Sequence, residues 1–201
     1  MDATFSYNGG LTREQFLFYE IRIAAKLKTQ GMDKDAMIEG IKSDNLFQFP
    51  TERMINNITR ACLRRLDALN NDKLVQELAE APVEVAKQIN LYAMMRYNRI
   101  VWEFMINVIG EKFRMQDFSF SRKDLNLFFV RLQEQNDDVA SWSESTINKI
   151  KQVLTKSLVE TGFLDNNKSE TLNSVFICEE LERGIRENKD FEALTAFNCF
   201  S

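Results

Sequence analysis

The chain has 201 residues, a net charge of −4 at pH 7 and a hydrophobic content of 44%, as expected for a globular protein that folds without disulfides or metals. It contains no histidine, which excludes Ser-His and Cys-His nucleophiles, histidine acid–base catalysis and His-ligated zinc. Because the net charge is negative, any contact with nucleic acid must come from local basic patches. Three widely spaced cysteines, Cys62, Cys178 and Cys199, favour reduced thiols in the cytoplasm.

The sequence carries no catalytic or targeting signature. No glycine-rich phosphate loop, GxSxG elbow or nucleotide fingerprint occurs, and the carboxylates do not converge on a metal site. The N-terminus does not resemble a signal peptide, and the most hydrophobic stretch, 89–109, contains charged residues that are costly in a bilayer. We therefore expect a cytoplasmic, non-enzymatic protein with no catalytic residues, cofactor, metal site or membrane contact.

Residues 1–120 are predicted to form an N-terminal helical bundle. Two prolines and seven glycines, with apolar residues recurring at intervals of three and four, favour a mainly α fold. A capping-box pattern at Thr12 predicts the start of the first helix, and Pro82 suits the first turn of a long central helix. The predicted helices cover about 12–31, 33–43, 51–69, 72–81 and 82–115.

The third predicted helix carries a basic stripe opposite its apolar face, formed by Arg53, Arg60 and Arg64. Exposed arginines on a helix are common and need no ligand, so a solvated face is the favoured interpretation. A second contact to nucleic acid is the alternative.

Residues 121–201 are predicted to form a winged-helix-like segment packed on the bundle. A capping box at Ser121 predicts a helix to about Glu134, and Ser143 or Ser145 caps the next helix. Residues 160–164 and 172–178, separated by a polar turn at 165–169, are then predicted to pair as a small β-hairpin. Helix, strand, turn and strand follow one another in the order of a winged helix. Helical pieces at 179–187 and 191–197 are expected to follow.

The helix after Trp142 has two clearly different faces. At about 100° per residue, Ile147, Ile150, Leu154 and Leu158 share one side, which is predicted to be buried. The opposite side carries side chains that contact phosphates and base edges when a helix lies in a DNA groove. An ordinary solvated face is the alternative, and Glu160, near the polar side, would repel phosphate. The polar side consists of Ser145, Lys149, Gln152 and Lys156.

Further DNA contacts are predicted from the neighbouring segments. The turn tip, Asn166, Asn167 and Lys168, offers short polar groups and a cation to a phosphate backbone. Arg122 and Lys123 begin the preceding helix and are predicted to share the same edge.

Several blocks of the sequence resemble the BrxA family, the small helical component of bacterial BREX phage-defence systems. They cover most of the first 165 residues in family order, although none is a catalytic signature. The blocks are Gly10-Leu-Thr-Arg-Glu-Gln-Phe-Leu-Phe-Tyr-Glu20, Asp44-Asn-Leu-Phe-Gln48, Arg64-Arg-Leu-Asp-Ala-Leu69, Asn90-Leu-Tyr-Ala-Met-Met95, Glu103-Phe-Met105, Trp142-Ser-Glu-Ser-Thr-Ile147 and Glu160-Thr-Gly-Phe-Leu164.

The resemblance implies a cytoplasmic, non-enzymatic defence protein with a helical bundle like that of the antitermination factor NusB. It also implies binding of double-stranded DNA beside a methyltransferase, an ATPase and a phosphatase-like component. The family supplies no binding residues to transfer, so the candidate DNA contacts rest on helix geometry. The alternative function is a protein–protein adaptor that does not touch nucleic acid, which the acidic net charge favours.

Overall fold

The structure is a computed structural model that describes residues 7–200. Within this range the chain is mainly helical, as predicted, with 3₁₀ helices at Gly9–Thr12 and Phe191–Phe197 and a π-helix at Met105–Gly110. The α-helices are α1 (Phe18–Thr29), α2 (Lys34–Ser43), α3 (Glu52–Leu69), α4 (Asp72–Glu80), α5 (Val83–Tyr97), α6 (Arg99–Phe104), α7 (Glu111–Arg114), α8 (Arg122–Gln135), α9 (Asp137–Ala140), α10 (Glu144–Glu160) and α11 (Glu179–Glu187).

Side-chain caps begin most of the predicted helices where the sequence places them. Thr51 accepts a hydrogen bond from the Met54 amide at the start of α3, and Ser121 forms a reciprocal capping box with Asp124 at the start of α8. Ser143, one of the two predicted candidates, caps α10. Each cap satisfies amides that have no partner inside the helix, which is why these starts are readable from sequence.

The predicted start of the first helix at Thr12 is wrong. Thr12 ends the short 3₁₀ helix, and α1 begins only after Leu17, whose φ of 51° lies in the left-handed region. The buried Arg65 guanidinium donates hydrogen bonds to the Phe16, Gln15 and Glu14 carbonyls. These long-range bonds satisfy the backbone of residues 14–16 outside a helix, so the local capping pattern does not determine the conformation.

The predicted continuous helix from Pro82 to Met115 is also interrupted. Asn98 has extended backbone angles, ends α5 and caps α6 by accepting hydrogen bonds from the amides of Ile100 and Val101 at 3.0 and 3.4 Å. Asn98 is buried, and the apolar residues on both sides of the segment 96–99 let the helical pattern continue past the break. The π-helix then replaces the α conformation up to Gly110.

The predicted β-hairpin does not form, so the structure lacks the wing of a winged helix. Gly162, with a φ of 80°, ends α10, and the adjacent Phe163 and Leu164 are both fully buried. Neighbouring residues in a strand point to opposite faces, so burial of both side chains in one core disfavours a strand. Leu172 donates its amide to the Phe118 carbonyl at 2.7 Å instead. Among residues 7–200 the β pairing is an isolated antiparallel bridge between Ser119 and Thr171.

The C-terminal segment packs against the bundle. Buried residues from both predicted segments belong to one hydrophobic cluster. The Arg96 guanidinium donates a hydrogen bond to Asp190, and the Tyr92 hydroxyl donates to the same carboxylate at 2.7 Å. Asn188 donates to the Leu69 carbonyl at 2.8 Å. These bonds fix the chain between α11 and the last 3₁₀ helix to α3 and α5.

The described part of the chain, 7–200, contains no helix that is both long enough and apolar enough to cross a membrane.

Candidate nucleic-acid interface

Helix α10 separates its faces as the sequence predicts. Ile147, Ile150, Leu154 and Leu158 are buried, which fixes the rotation of the helix. On the other side Ser145, Gln152 and Lys156 are exposed and Lys149 is half-buried. We call these four residues the α10 face.

The two lysines of the α10 face have no acidic partner. Within residues 7–200, neither Lys149 nor Lys156 forms an ion pair. Glu160, which would repel phosphate, instead pairs with Lys87 of α5 at 2.9 Å. The positive charge of the α10 face is therefore uncommitted, and the neighbouring negative charge is compensated.

Lys151 does not belong to this face. Its ammonium donates to Asn126 Oδ1 at 2.8 Å and lies 5.4 Å from the centre of the Phe129 ring. Burial lowers the pKa of Lys151. The lysine stem covers the junction between α8 and α10.

The turn that was predicted as a wing tip is present but is not flanked by strands. Asn166 Oδ1 accepts from the Lys168 amide at 2.9 Å, and the Asn166 amide donates to Ser169 Oγ at 3.0 Å. Asn173 ties the base of the turn to the end of α10 by donating to the Gly162 carbonyl at 3.0 Å. The exposed side chains of Asn167 and Lys168 therefore project from a turn held by side-chain hydrogen bonds.

The antiparallel bridge brings this turn next to the start of α8. Because Ser119 pairs with Thr171, Arg122 lies three residues after one end of the bridge and Lys168 lies three residues before the other. Arg122, Lys123 and Lys168 are exposed, and we call them the cationic edge. The turn is thus connected to the start of α8 through pairing with residues 118–120, and not through a hairpin.

The carboxylates around the cationic edge are mostly neutralised. Lys112 Nζ lies 2.9 Å from Asp117 Oδ2 and 3.0 Å from Asp124 Oδ1. Hydrogen bonds from Ser119 and Lys112 hold the pKa of Asp117 well below its usual range. For Asp124, hydrogen bonds from Lys112 and Ser121 outweigh the opposing effect of burial and lower the pKa. Glu170 is an exposed acid next to the edge and opposes anion binding.

The arginine stripe of α3 is divided. Arg64 pairs with Glu14 at 2.7 Å and lies 5.6 Å from the centre of the Tyr97 ring, so its charge is already used within the fold. Arg53 and Arg60 are exposed and form no ion pair within residues 7–200. The structure therefore leaves two of the three predicted arginines available to a ligand.

The sequence analysis did not identify Lys87 and Lys112, which pair with Glu160, Asp117 and Asp124 near the candidate interface. Lys87 lies 73 positions before Glu160, a difference taken from the residues of their ion pair, so no local pattern connects them. The i,i+5 spacing of Lys112 and Asp117 gives only a weak signal, because helical pairs are expected at i,i+3 and i,i+4.

The arrangement suits anion binding. Across residues 7–200, no group of three or more Cys, Asp or Glu side chains is placed to hold a metal ion. The uncommitted lysines, arginines and amides are groups that contact phosphates and base edges.

Comparison with known proteins identifies relatives along most of the chain. A sequence model of the BrxA family matches residues 6–189. A "BREX protein BrxA" from Bacillus cereus (strain H3081.97) is 35% identical over 81% of this chain and 80% of its own length. Another "BREX protein BrxA", from Paramagnetospirillum magneticum, is 25% identical over 85% of each chain.

One solved structure shares the fold. The crystal structure of an uncharacterized protein from Magnetospirillum magneticum matches with a TM-score of 0.81 at 23% identity. The match covers 95% of this chain and 97% of that chain.

Proposed function

Because the chain belongs to the BrxA family, we propose that it is a non-enzymatic component of a BREX phage-defence system that binds double-stranded DNA. The methyltransferase, the ATPase and the phosphatase-like component of the system are its proposed protein partners, and the cytoplasm is its proposed location. That the helical bundle resembles NusB remains a prediction, which superposition of this structure on NusB would test. That the helices after residue 120 follow the order found in a winged helix also remains a prediction, although the wing itself does not form.

The observation that carries this proposal is the uncommitted charge of the α10 face. Lys149 and Lys156 share a side whose other members, Ser145 and Gln152, are polar, while the opposite side of the helix is buried. The ion pair of Lys87 with Glu160 at 2.9 Å compensates the acid that ends α10. A phosphate backbone that displaces counterions from these lysines gains affinity in proportion to the charges neutralised.

The cationic edge extends the proposed contact beyond one helix. Arg122, Lys123 and Lys168 are exposed and brought together by the Ser119–Thr171 bridge. Asn166 and Asn167 lie in the same turn, and Arg53 and Arg60 form a proposed second patch on α3. Phosphate contacts of this kind carry little base information, so we expect weak sequence selectivity.

The test is duplex binding by the Lys149→Ala/Lys156→Ala variant, measured by fluorescence anisotropy over a series of salt concentrations. We expect lower affinity and a salt slope reduced by about one for each lysine removed. The matched control is Lys26→Ala/Lys189→Ala, which removes one exposed lysine from α1 and one from the turn after α11 at the same change in net charge. Equal affinity of parent and α10 variant at every salt concentration would contradict the proposal.

An adaptor function is the second candidate, and exposed apolar side chains favour it. Leu127 and Val130 on α8 are about half exposed, and Phe176 is 83% exposed, although large apolar side chains are more often buried. Nuclease-treated protein that captures other BREX proteins but gives no electrophoretic shift of duplex DNA at low salt would support the adaptor.

A further inference from the structure

We propose that a cleft beside the cationic edge binds an unpaired nucleobase, so that the protein prefers duplex DNA that carries a single-stranded tail. This proposal rests on the DNA-binding function proposed above. It assigns a ligand class to a site that is separate from the α10 face.

The cleft lies between the end of α7 and the last residues that the structure describes. Its volume is about 750 Å³, within the range of roughly 300–1,000 Å³ that is usual for sites of small organic ligands. The residues that line it are Phe113, Arg114, Gln116, Phe118, Asn198 and Phe200.

Aromatic rings form the floor and sides of the cleft. Phe113 is buried, and its ring lies 6.0 Å from that of Phe163, which lies 6.1 Å from Phe197 in the core. Phe118 and Phe200 remain 37% and 49% exposed. Exposed rings over a fixed aromatic floor provide stacking surfaces for any base, because every base has a π face.

The polar groups of the cleft match the edges of a base. Gln116 and Asn198 each carry a carboxamide with donor and acceptor atoms, and within residues 7–200 neither side chain has a hydrogen-bond partner. Arg114 at the rim is paired with Glu111 at 2.6 Å, so its charge is already used within the fold. No carboxylate is among the lining side chains, so nothing in the lining repels an adjacent phosphate.

The cleft and the cationic edge are joined by one short stretch of chain, from Phe118 in the cleft lining to Arg122. The carbonyl of Phe118 accepts the Leu172 amide at 2.7 Å, and the Phe120 amide donates to the Glu170 carbonyl at 2.9 Å. Arg122 follows Phe118 by four residues, which span at most about 14 Å. The two sites are therefore separated along this stretch by no more than the length of about four nucleotides at 3.4 Å per step. A strand bound along the edge can therefore place an unpaired base in the cleft.

The experiment compares a blunt duplex with the same duplex carrying a short single-stranded tail that contains 2-aminopurine. We expect the tail to raise affinity about fivefold or more, since base stacking on protein aromatics has effects of this size. We also expect quenching of 2-aminopurine fluorescence. Phe118→Ala and Phe200→Ala should each remove both effects while leaving affinity for the blunt duplex unchanged. Phe176→Ala, which removes an exposed ring outside the cleft, is the matched control.

The outcomes separate this proposal from the one it rests on. Equal affinity for tailed and blunt duplexes overturns the cleft assignment and leaves DNA binding intact. A preference for the tailed duplex that persists in both Phe118→Ala and Phe200→Ala also overturns the cleft assignment. If those variants then fail to bind a BREX protein that the parent binds, the cleft is assigned to an apolar peptide of that protein. If neither duplex binds, the proposed DNA-binding function is wrong. In that case the protein is mixed with the 2-aminopurine single strand alone, and fluorescence that is not quenched overturns the cleft assignment as well. Each variant must show the same circular dichroism spectrum as the parent protein. Gln116→Ala provides a further cleft variant at an exposed position.

Discussion

Lys87 Nζ lies 2.9 Å from Glu160 Oε2, and this ion pair joins α5 to the last residue of α10. The ammonium also lies 5.6 Å from the centre of the Phe18 ring, so its position is fixed by packing as well as by charge. Both side chains are partly exposed, so we expect only a small effect of the pair on folding stability. Its consequence is electrostatic, because it compensates the acid nearest to Lys156 on the α10 face.

We therefore expect Lys87→Ala to weaken duplex binding by about fivefold at low salt, since one uncompensated charge a few ångströms from a phosphate is worth roughly 1 kcal/mol in water. The double variant Lys87→Ala/Glu160→Gln should recover the parent affinity. Fluorescence anisotropy measures both. A double variant that binds as weakly as Lys87→Ala would show that Glu160 does not face the DNA.

Arg65 and Arg64 provide a matched pair for stability. Arg65 is fully buried and donates to backbone carbonyls of residues 14–16, whereas Arg64 is partly exposed and pairs with Glu14. We expect Arg65→Met to lower the free energy of unfolding by about 3 kcal/mol or more, because each orphaned buried carbonyl costs roughly 1–3 kcal/mol. Arg64→Met should cost less than about 1 kcal/mol. Urea unfolding measures both, and equal losses would contradict the structural role given to Arg65.

The contact between α11 and α4 depends on the absence of a side chain at Gly184. A Cβ there would lie 2.5 to 2.7 Å from atoms of the buried Leu74 side chain. We expect Gly184→Ala to destabilise the protein by about 1–3 kcal/mol through overpacking. Gly40→Ala, where the nearest contact would be 3.6 Å from Met32 Cε, should instead stabilise α2 by up to about 1 kcal/mol. Thermal unfolding should show a lower Tm than the parent for Gly184→Ala and a higher Tm for Gly40→Ala.

The stability of the protein should fall in alkali. Burial raises the pKa of the Cys62 thiol from 9.0 to about 12. Between these values the unfolded chain has lost a proton that the folded chain retains, so stability is complete below about pH 9 and decreases as the pH rises toward 12. Burial and Glu103 raise the pKa of Tyr7 to about 12, which acts in the same direction above pH 10. Urea unfolding of Cys62→Ala should show a shallower loss between pH 9 and 12, and an unchanged slope would refute this origin.

The elements that the sequence predicted correctly are those with local signals. Thr51 and Ser121 accept the amides expected of cap residues, and α11 runs from Glu179 to Glu187 as predicted. The faces of α10 follow from helical periodicity alone. In each case neighbours within four residues determine the conformation, so a single sequence contains the necessary information.

The incorrect predictions involve partners that are distant in the sequence. The start of α1 depends on Arg65, and the hairpin is replaced by a pairing of Leu172 with Phe118. Asn98 interrupts the central helix although apolar residues recur at helical spacing on both sides of it. In the candidate interface, the lysines could be placed on a face from periodicity. The ion pair between Glu160 and Lys87 could not be predicted from periodicity, because it depends on the relative positions of α5 and α10.

The Ser119–Thr171 bridge makes the cationic edge depend on a contact between residues that are far apart in the sequence. It closes a loop that contains α8, α9 and α10, and the chain entropy lost on closing such a loop must be offset by contacts formed within it. An isolated peptide of α10 would carry Lys149 and Lys156 but would lack Arg122 and Lys168 beside each other. Only a chain that has completed this loop presents the whole basic surface to a ligand.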